Sequence, residues 1–159
     1  SIEVESEPNV GSVFTLRLNC VISKTDTKKE FNNTNGMQTS NSPLILVAED
    51  EISNVKLIEA ILKRNSYEVV RAENGEEAVE MCRKNTNICL VLMDIRMPVM
   101  DGLIATKKIK GFSPNLPIIA QTAYGMDGDE NKAIVEGCDD YISKPIRKEL
   151  LLEKIKALI

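Results

Sequence analysis

The sequence predicts an α/β fold around a parallel five-stranded sheet, and three observations carry that prediction. Residues 43 to 159 alternate strand-like and helix-like patterns five times. The two most apolar runs, LILVAE (44–49) and ICLVLMD (88–94), lack polar alternation, as strands covered on both faces do. Turn signals at Asn74-Gly75, Gly111 to Asn115 and Gly137 punctuate the repeat. Repeated β-α units require right-handed crossovers and a parallel sheet. Five of them in so short a stretch give a flavodoxin-like (βα)5 three-layer domain with strand order 2-1-3-4-5.

Residues 1 to 22 precede that domain. Ile2 and Val4 alternate with acids, Phe14, Leu16 and Leu18 alternate with polar residues, and SEPNVG supplies a turn, so a β-hairpin with one apolar face is expected. Two strands alone bury too little to be stable, so the hairpin reads as the edge of a domain whose remainder is missing. Residues 23 to 42 are polar and nearly free of apolar side chains. They read as a flexible linker, and a coil of that length spans about 25 Å.

Within residues 43 to 159 the remaining strands are YEVVRA (67–72), LPIIAQT (116–122) and DDYIS (139–143). Ile58, Ile61 and Leu62 share the i, i+3, i+4 spacing of a helix face, as do Ala78, Met81 and Cys82, and Leu151, Ile155 and Leu158 align near the end. The fourth helical stretch, MDGDENKAIVEG (126–137), is poor in apolar residues and is expected to be the least stable helix and a face able to move.

Composition narrows the function. The 159 residues are 43% hydrophobic and 28% charged, as in a soluble globular protein, and the net charge of −4 comes without a Lys/Arg-rich block, against a nucleic-acid surface. No apolar run approaches membrane-spanning length, and the first residues are not a signal peptide. The start lacks Met, as expected of a piece of a longer protein. Four scattered cysteines without a CxxC pair read as free thiols of a reducing cytosol, which makes the expected location cytoplasmic. The absence of histidine excludes a Ser-His-Asp triad, a His-ligated zinc site and a phosphohistidine on this chain. Neither GxGxxG nor GxxxxGK[ST] is present to cradle a nucleotide.

In an open α/β sheet, ligands gather at the carboxyl ends of strands where the strand order reverses. The first strand ends in Glu49-Asp50-Glu51 and the third in Asp94, so the fold brings Glu49, Asp50 and Asp94 to one crevice. Singly, such acids are often helix caps or solvated strand ends. Together, like charges about 5 Å apart repel by roughly 3 kcal/mol per pair at an effective dielectric near 20, and such a cluster requires a cation. Carboxylates without His or Cys select Mg²⁺ or Mn²⁺ over zinc. The fifth strand is followed by Ser143-Lys144-Pro145, whose lysine faces the same crevice and whose Lys-Pro bond is a candidate for the cis form. The fourth ends in Gln121-Thr122-Ala123, with a hydroxyl at the rim.

The ordered set Glu49-Asp50, Asp94 with Met97-Pro98 and Asp101-Gly102, Thr122-Ala123, and Tyr141 to Pro145 resembles the receiver domain of two-component response regulators, over residues 43 to 159. The resemblance implies that Asp94 is the phospho-acceptor, taking a phosphoryl group from a phosphohistidine. It implies that Asp50, Asp94 and the backbone carbonyl of Arg96 ligate Mg²⁺, with Glu49 holding a metal-bound water. Lys144 would pair with phosphoryl oxygens, Thr122 would donate its hydroxyl to one of them, and Tyr141 would repack as Thr122 moves. Arg96 and Tyr124 flank the site where such domains tune dephosphorylation, and their bulk implies slow loss of the phosphoryl group. The segment IEVESEPNVGSVFTLRL resembles the last strands of the ATP-binding domain of a sensor histidine kinase. Hairpin, linker and receiver in that order imply the C-terminal end of a hybrid sensor histidine kinase, in which any membrane anchor would lie in upstream segments. Its kinase site would lie upstream, and its partner would be a phosphohistidine-bearing kinase domain or histidine phosphotransfer protein. A haloacid-dehalogenase-like phosphatase is the enzyme alternative, but that class wants a second acid where Arg96 stands. A nucleotide or flavin binder, and a degenerate receiver that only binds partners, are the others.

Overall fold

The computed structural model of the chain describes residues 2–7, 11–16, 42–123 and 129–159. The chain divides into two units, residues 1–38 and 39–159. In the first, β1 (Ile2–Glu7) and β2 (Gly11–Leu16) pair antiparallel with Ile2 opposite Leu16 and Glu7 opposite Gly11. This is the expected hairpin; its turn, its apolar face and most of the expected linker lie outside the described residues.

The second unit holds β3 (Leu44–Ala48), α1 (Ile52–Lys63), β4 (Glu68–Ala72), α2 (Gly75–Lys84), β5 (Ile88–Asp94), α3 (Gly102–Phe112), β6 (Ile118–Ala123), α4 (Asp129–Val135), β7 (Asp140–Lys144) and α5 (Lys148–Leu158). The strands form one parallel sheet in the order β4-β3-β5-β6-β7, which is the 2-1-3-4-5 order expected from the sequence. One boundary moves for a physical reason. Pro117 has no N–H to give the ladder, so β6 starts at Ile118, while the Pro117 carbonyl still accepts from Val91 N at 2.9 Å. The fourth helix is described as seven residues, Asp129–Val135.

Alternation along the strands sorts the core into two layers. Leu46, Ala48, Val91, Met93, Ile118 and Ala120 pack with residues of α2, α3 and α4. Ile45, Val47, Leu90, Leu92, Ile119 and Ile142 pack with residues of α1 and α5. Burial also holds the Cys82 thiol up at about 11, the property of an inert core thiol.

The loop after β5 is fixed by its own small residues. Asp101 caps α3, its carboxylate accepting from Leu103 N at 2.7 Å. Gly102 donates to the Ile95 carbonyl at 2.9 Å, and a Cβ on Gly102 would stand 1.9 Å from the Asp94 carbonyl oxygen. Gly75 is similar, for its Cβ would meet the Met100 carbonyl at 2.5 Å. Exposed Val99 turns the loop at a φ of 65°, in the left-handed region. These close approaches press the start of α3 against the end of β5. Gly102→Ala therefore has to push backbone from backbone, and a loss of about 2–3 kcal/mol in urea unfolding at unchanged m is expected. A loss below about 0.5 kcal/mol would contradict the close approach.

Candidate functional site

Four charged side chains meet at the carboxyl edge of the sheet: β3 and β5, which bring the acids, are neighbours, and Lys144 reaches across β6 from β7. Glu49 follows β3 and extends its ladder, its N–H donating to the Ala72 carbonyl at 3.1 Å. Asp94 ends β5, and Lys144 ends β7. Val47, Leu92 and Ile142 belong to the α1/α5 layer, so alternation places Glu49, Asp94 and Lys144, each two residues further on, over that same face. Asp50 lies exposed at the mouth.

The carboxylates of Glu49, Asp50 and Asp94 each offer an oxygen, and the three oxygens lie within 4.8 Å of one another. Glu49 and Asp94 are buried, Glu49 to 1% exposure. Lys144 bridges them: its Nζ donates to Glu49 Oε2 at 2.7 Å and to Asp94 Oδ2. The remaining Glu49 oxygen accepts from Asn54 Nδ2 at 3.0 Å, from the first turns of α1. The remaining Asp94 oxygen accepts from Arg96 N at 3.1 Å. Arg71, on edge strand β4, directs one guanidinium nitrogen to the Asp50 carbonyl at 3.5 Å and another to Glu73 at 3.3 Å. Asp50 is not a helix cap, since the N-cap of α1 is Glu51.

Burial lifts the Glu49 carboxyl above its ordinary value, against the hydrogen bonds from Lys144 and Asn54, and the Asp94 charge adds to the rise. Burial pulls the Lys144 ammonium down, but the hydrogen bonds to Asp94 and Glu49 and their two charges outweigh it, leaving it raised. Both groups therefore hold protons more tightly folded than unfolded.

Thr122 and Tyr141 stand elsewhere. Ala120 and its register partner Tyr141 belong to the α2/α3/α4 layer, and Thr122, two residues after Ala120 and 2% exposed, faces that side. Lys154 of α5 grips Asp140 with both carboxylate oxygens at 2.7 and 2.8 Å and lies 5.4 Å from the Tyr141 ring centre. The Lys144-Pro145 bond is cis. Tyr124 lies outside the described residues. Asn54, Arg71 and Gln121 were given no part by sequence reasoning; for Gln121 the signal was an amide in an otherwise apolar strand interior, Ile118 to Ala120.

The donor set passes the test for a hard divalent cation: three carboxylates converge, one of them exposed, with no nitrogen or sulfur ligand beside them. The set lies where the strand order reverses, the usual ligand crevice of an open parallel α/β sheet, and Lys144 reaches it from β7. Residues 45–156 match the family of the response regulator receiver domain, and the chain belongs to that family. It is 38% identical over 136 residues to the hybrid signal transduction histidine kinase I of Dictyostelium discoideum, covering 78% of this chain and 8% of that protein. The chain thus spans a small fraction of that kinase. Among solved structures, the receiver domain of the sensor histidine kinase PA1611 from Pseudomonas aeruginosa, with a magnesium ion in its active-site cleft, matches with a TM-score of 0.69 at 33% identity, covering 74% of this chain and 97% of that one. The receiver of the Saccharomyces cerevisiae response regulator Ssk1, co-crystallised with the histidine phosphotransfer protein Ypd1, matches with a TM-score of 0.69 at 29% identity, covering 74% of this chain and 88% of that one.

A pH prediction follows from the buried carboxyl. A raised folded value means that Glu49 contributes stability below its ordinary value of 4.5 and loses it as pH climbs through the folded value. Without divalent cations, the Tm of Glu49→Gln should therefore gain on that of the wild type between pH 4.5 and 7.5. A Tm difference that is flat with pH, or shrinks, contradicts the assignment.

Proposed function

We propose that this receiver domain accepts a phosphoryl group on Asp94 from a phosphohistidine, in a step that depends on Mg²⁺. The observation that carries the reading is the single crevice in which Asp94 has one oxygen on Lys144 and the other on the Arg96 N–H, with Glu49 and Asp50 beside it. Asp50, Asp94 and the Arg96 carbonyl would hold the cation, with Glu49 acting through a bound water. When bound, Mg²⁺ supplies neutralisation of the charge spread over the phosphoryl oxygens.

The chain's own residues do the rest. An oxygen of Asp94 attacks phosphorus in line; the new O–P bond forms as the N–P bond to imidazole breaks, and the imidazole leaves with the electron pair. Lys144, already hydrogen-bonded to the attacking carboxylate, steadies it and then pairs with phosphoryl oxygens. Thr122 would donate its hydroxyl to one of those oxygens. Alternation puts Thr122 on the same face of the sheet as Tyr141 of the adjacent strand, which supports a population shift in which the two residues repack together. Bulk at Arg96 and Tyr124 would slow dephosphorylation.

The partner we infer is a phosphohistidine-bearing kinase domain or histidine phosphotransfer protein. Exposed Ile52 and Leu57 on α1 support a docking face next to the site, and a cavity of ≈ 50 Å³ lies between Asn54, Leu57, Lys144, Pro145 and Ile146. We further read residues 1–22 as the end of a histidine kinase ATP-binding domain, residues 23–42 as linker, and the parent as a hybrid sensor histidine kinase working in the cytoplasm. The antiparallel pairing of Ile2–Glu7 with Gly11–Leu16 supports that reading.

Incubation with Mg²⁺ and acetyl phosphate should add one phosphoryl group by intact mass. Asp94→Asn should show no adduct, and Lys144→Ala should react about a hundredfold more slowly, through loss of a charge-assisted contact made to the reacting group. An adduct that survives in Asp94→Asn sinks the assignment.

A further inference from the structure

Gln121 is fully buried in β6, and neither end of its amide has a hydrogen-bond partner among the described residues. Burying both ends of an amide unpaired destabilises a fold, and a leucine of similar size in the same strand would avoid the cost. The position is not arbitrary. Gln121 is the register partner of Asp94, and its backbone carbonyl accepts from Ile95 N at 3.2 Å. Ile119, two residues earlier, belongs to the α1/α5 layer, so Gln121 faces the same side of the sheet as Glu49, Asp94 and Lys144.

Strand order sharpens this. β6 lies between β7, which carries Lys144, and β5, which carries Asp94. With strands about 4.8 Å apart, the lysine stem has to cross β6 to reach Asp94, and both β6 and β5 to reach Glu49. On β6 the residues of that face are Gln121 and Ala123, and Ala123 is the register partner of Lys144. The small alanine leaves the stem room, and the path from there to Asp94 runs over Gln121. An ammonium has three donors, of which Glu49 and Asp94 take two in this state. A cation held at Asp50 and Asp94 would compete with the Lys144 ammonium for the negative charge of Glu49. Released from Glu49, the ammonium draws back towards its own strand, over the Gln121 amide.

We propose that Gln121 is a positioning residue for Lys144, its Oε1 accepting an N–H of the ammonium once Glu49 has let go, so that the lysine is held over Asp94 for phosphoryl transfer. This rests on the reading of Asp94 as the acceptor. The unpaired amide is then a site held ready for a second lysine position, at the expense of stability.

The test uses the full chain as wild type, Gln121→Leu and Gln121→Met. Both variants should melt at higher temperature than wild type and bind Mg²⁺ within about threefold of it. They should take up phosphoryl from acetyl phosphate about tenfold more slowly, the loss expected for one hydrogen bond to a charged group. A rate within about twofold of wild type overturns the proposal. So does a slower rate accompanied by a lower Tm and weaker Mg²⁺ binding, which would assign Gln121 to packing alone. The Gln121 side-chain amide resonance of ¹⁵N-labelled wild type is read as well: it should shift when Mg²⁺ is added. A resonance that stays put overturns the proposal even if both variants fail to fold. Should wild type take no phosphoryl group at all, the acceptor reading fails separately, and the Mg²⁺-dependent shift still decides the place of Gln121.

Discussion

One lysine holding two buried carboxylates is the interaction on which the rest of the site depends. Glu49 and Asp94 sit on neighbouring strands, out of reach of bulk water, with Asp50 close by. Left alone, such a cluster would repel itself, and each buried charge would be costly. Lys144 meets that cost from two strands away and is anchored at the end of β7 to do so. The arrangement neutralises the edge of the sheet from within the chain while leaving the carboxylates concentrated for a cation. Asn54 and the Arg96 N–H take the oxygens that Lys144 leaves.

The fold serves this edge through backbone packing more than through side chains. The 2-1-3-4-5 order makes β3 and β5 adjacent, which is why two strand ends far apart in the chain share a crevice. Gly102 lets α3 start directly on the Asp94 carbonyl, and Asp101 fixes that start by capping. The two acids of the loop thus divide the work. Asp94 faces the crevice with Glu49 and Asp50, while Asp101 caps its own helix. Tyr141 packs into the layer on the other side of the sheet, and alternation from Ala120 turns Thr122 to that same side.

The strand-end acids and Lys144 were legible in the sequence because each follows an apolar run whose register dictates where its last side chain falls. Glu49, Asp50 and Asp94 could be brought together from strand order alone, and the structure does bring them together with Lys144. Thr122 was legible as a rim residue, but the face it uses is set by alternation from Ala120, one step out of phase with Asp94. Asn54 and Arg71 were not legible, since their contacts depend on how α1 leaves β3 and on which strand forms the edge. Gln121 was visible only as an amide in an apolar strand, and its lack of partners is a property of the packed interior.

The central claim is that Lys144 and a divalent cation share one set of carboxylates, and Mg²⁺ titrations of unfolding stability test it most directly. For wild type, stability should rise with Mg²⁺ along the single-site curve set by the ratio of ion concentration to Kd. Lys144→Met should be less stable without Mg²⁺ yet bind it more tightly, by roughly an order of magnitude, because a positive charge beside the ion has been removed. Mg²⁺ affinity that is unchanged or weaker in Lys144→Met would contradict the account, for the lysine and the ion would then not be acting on the same charges.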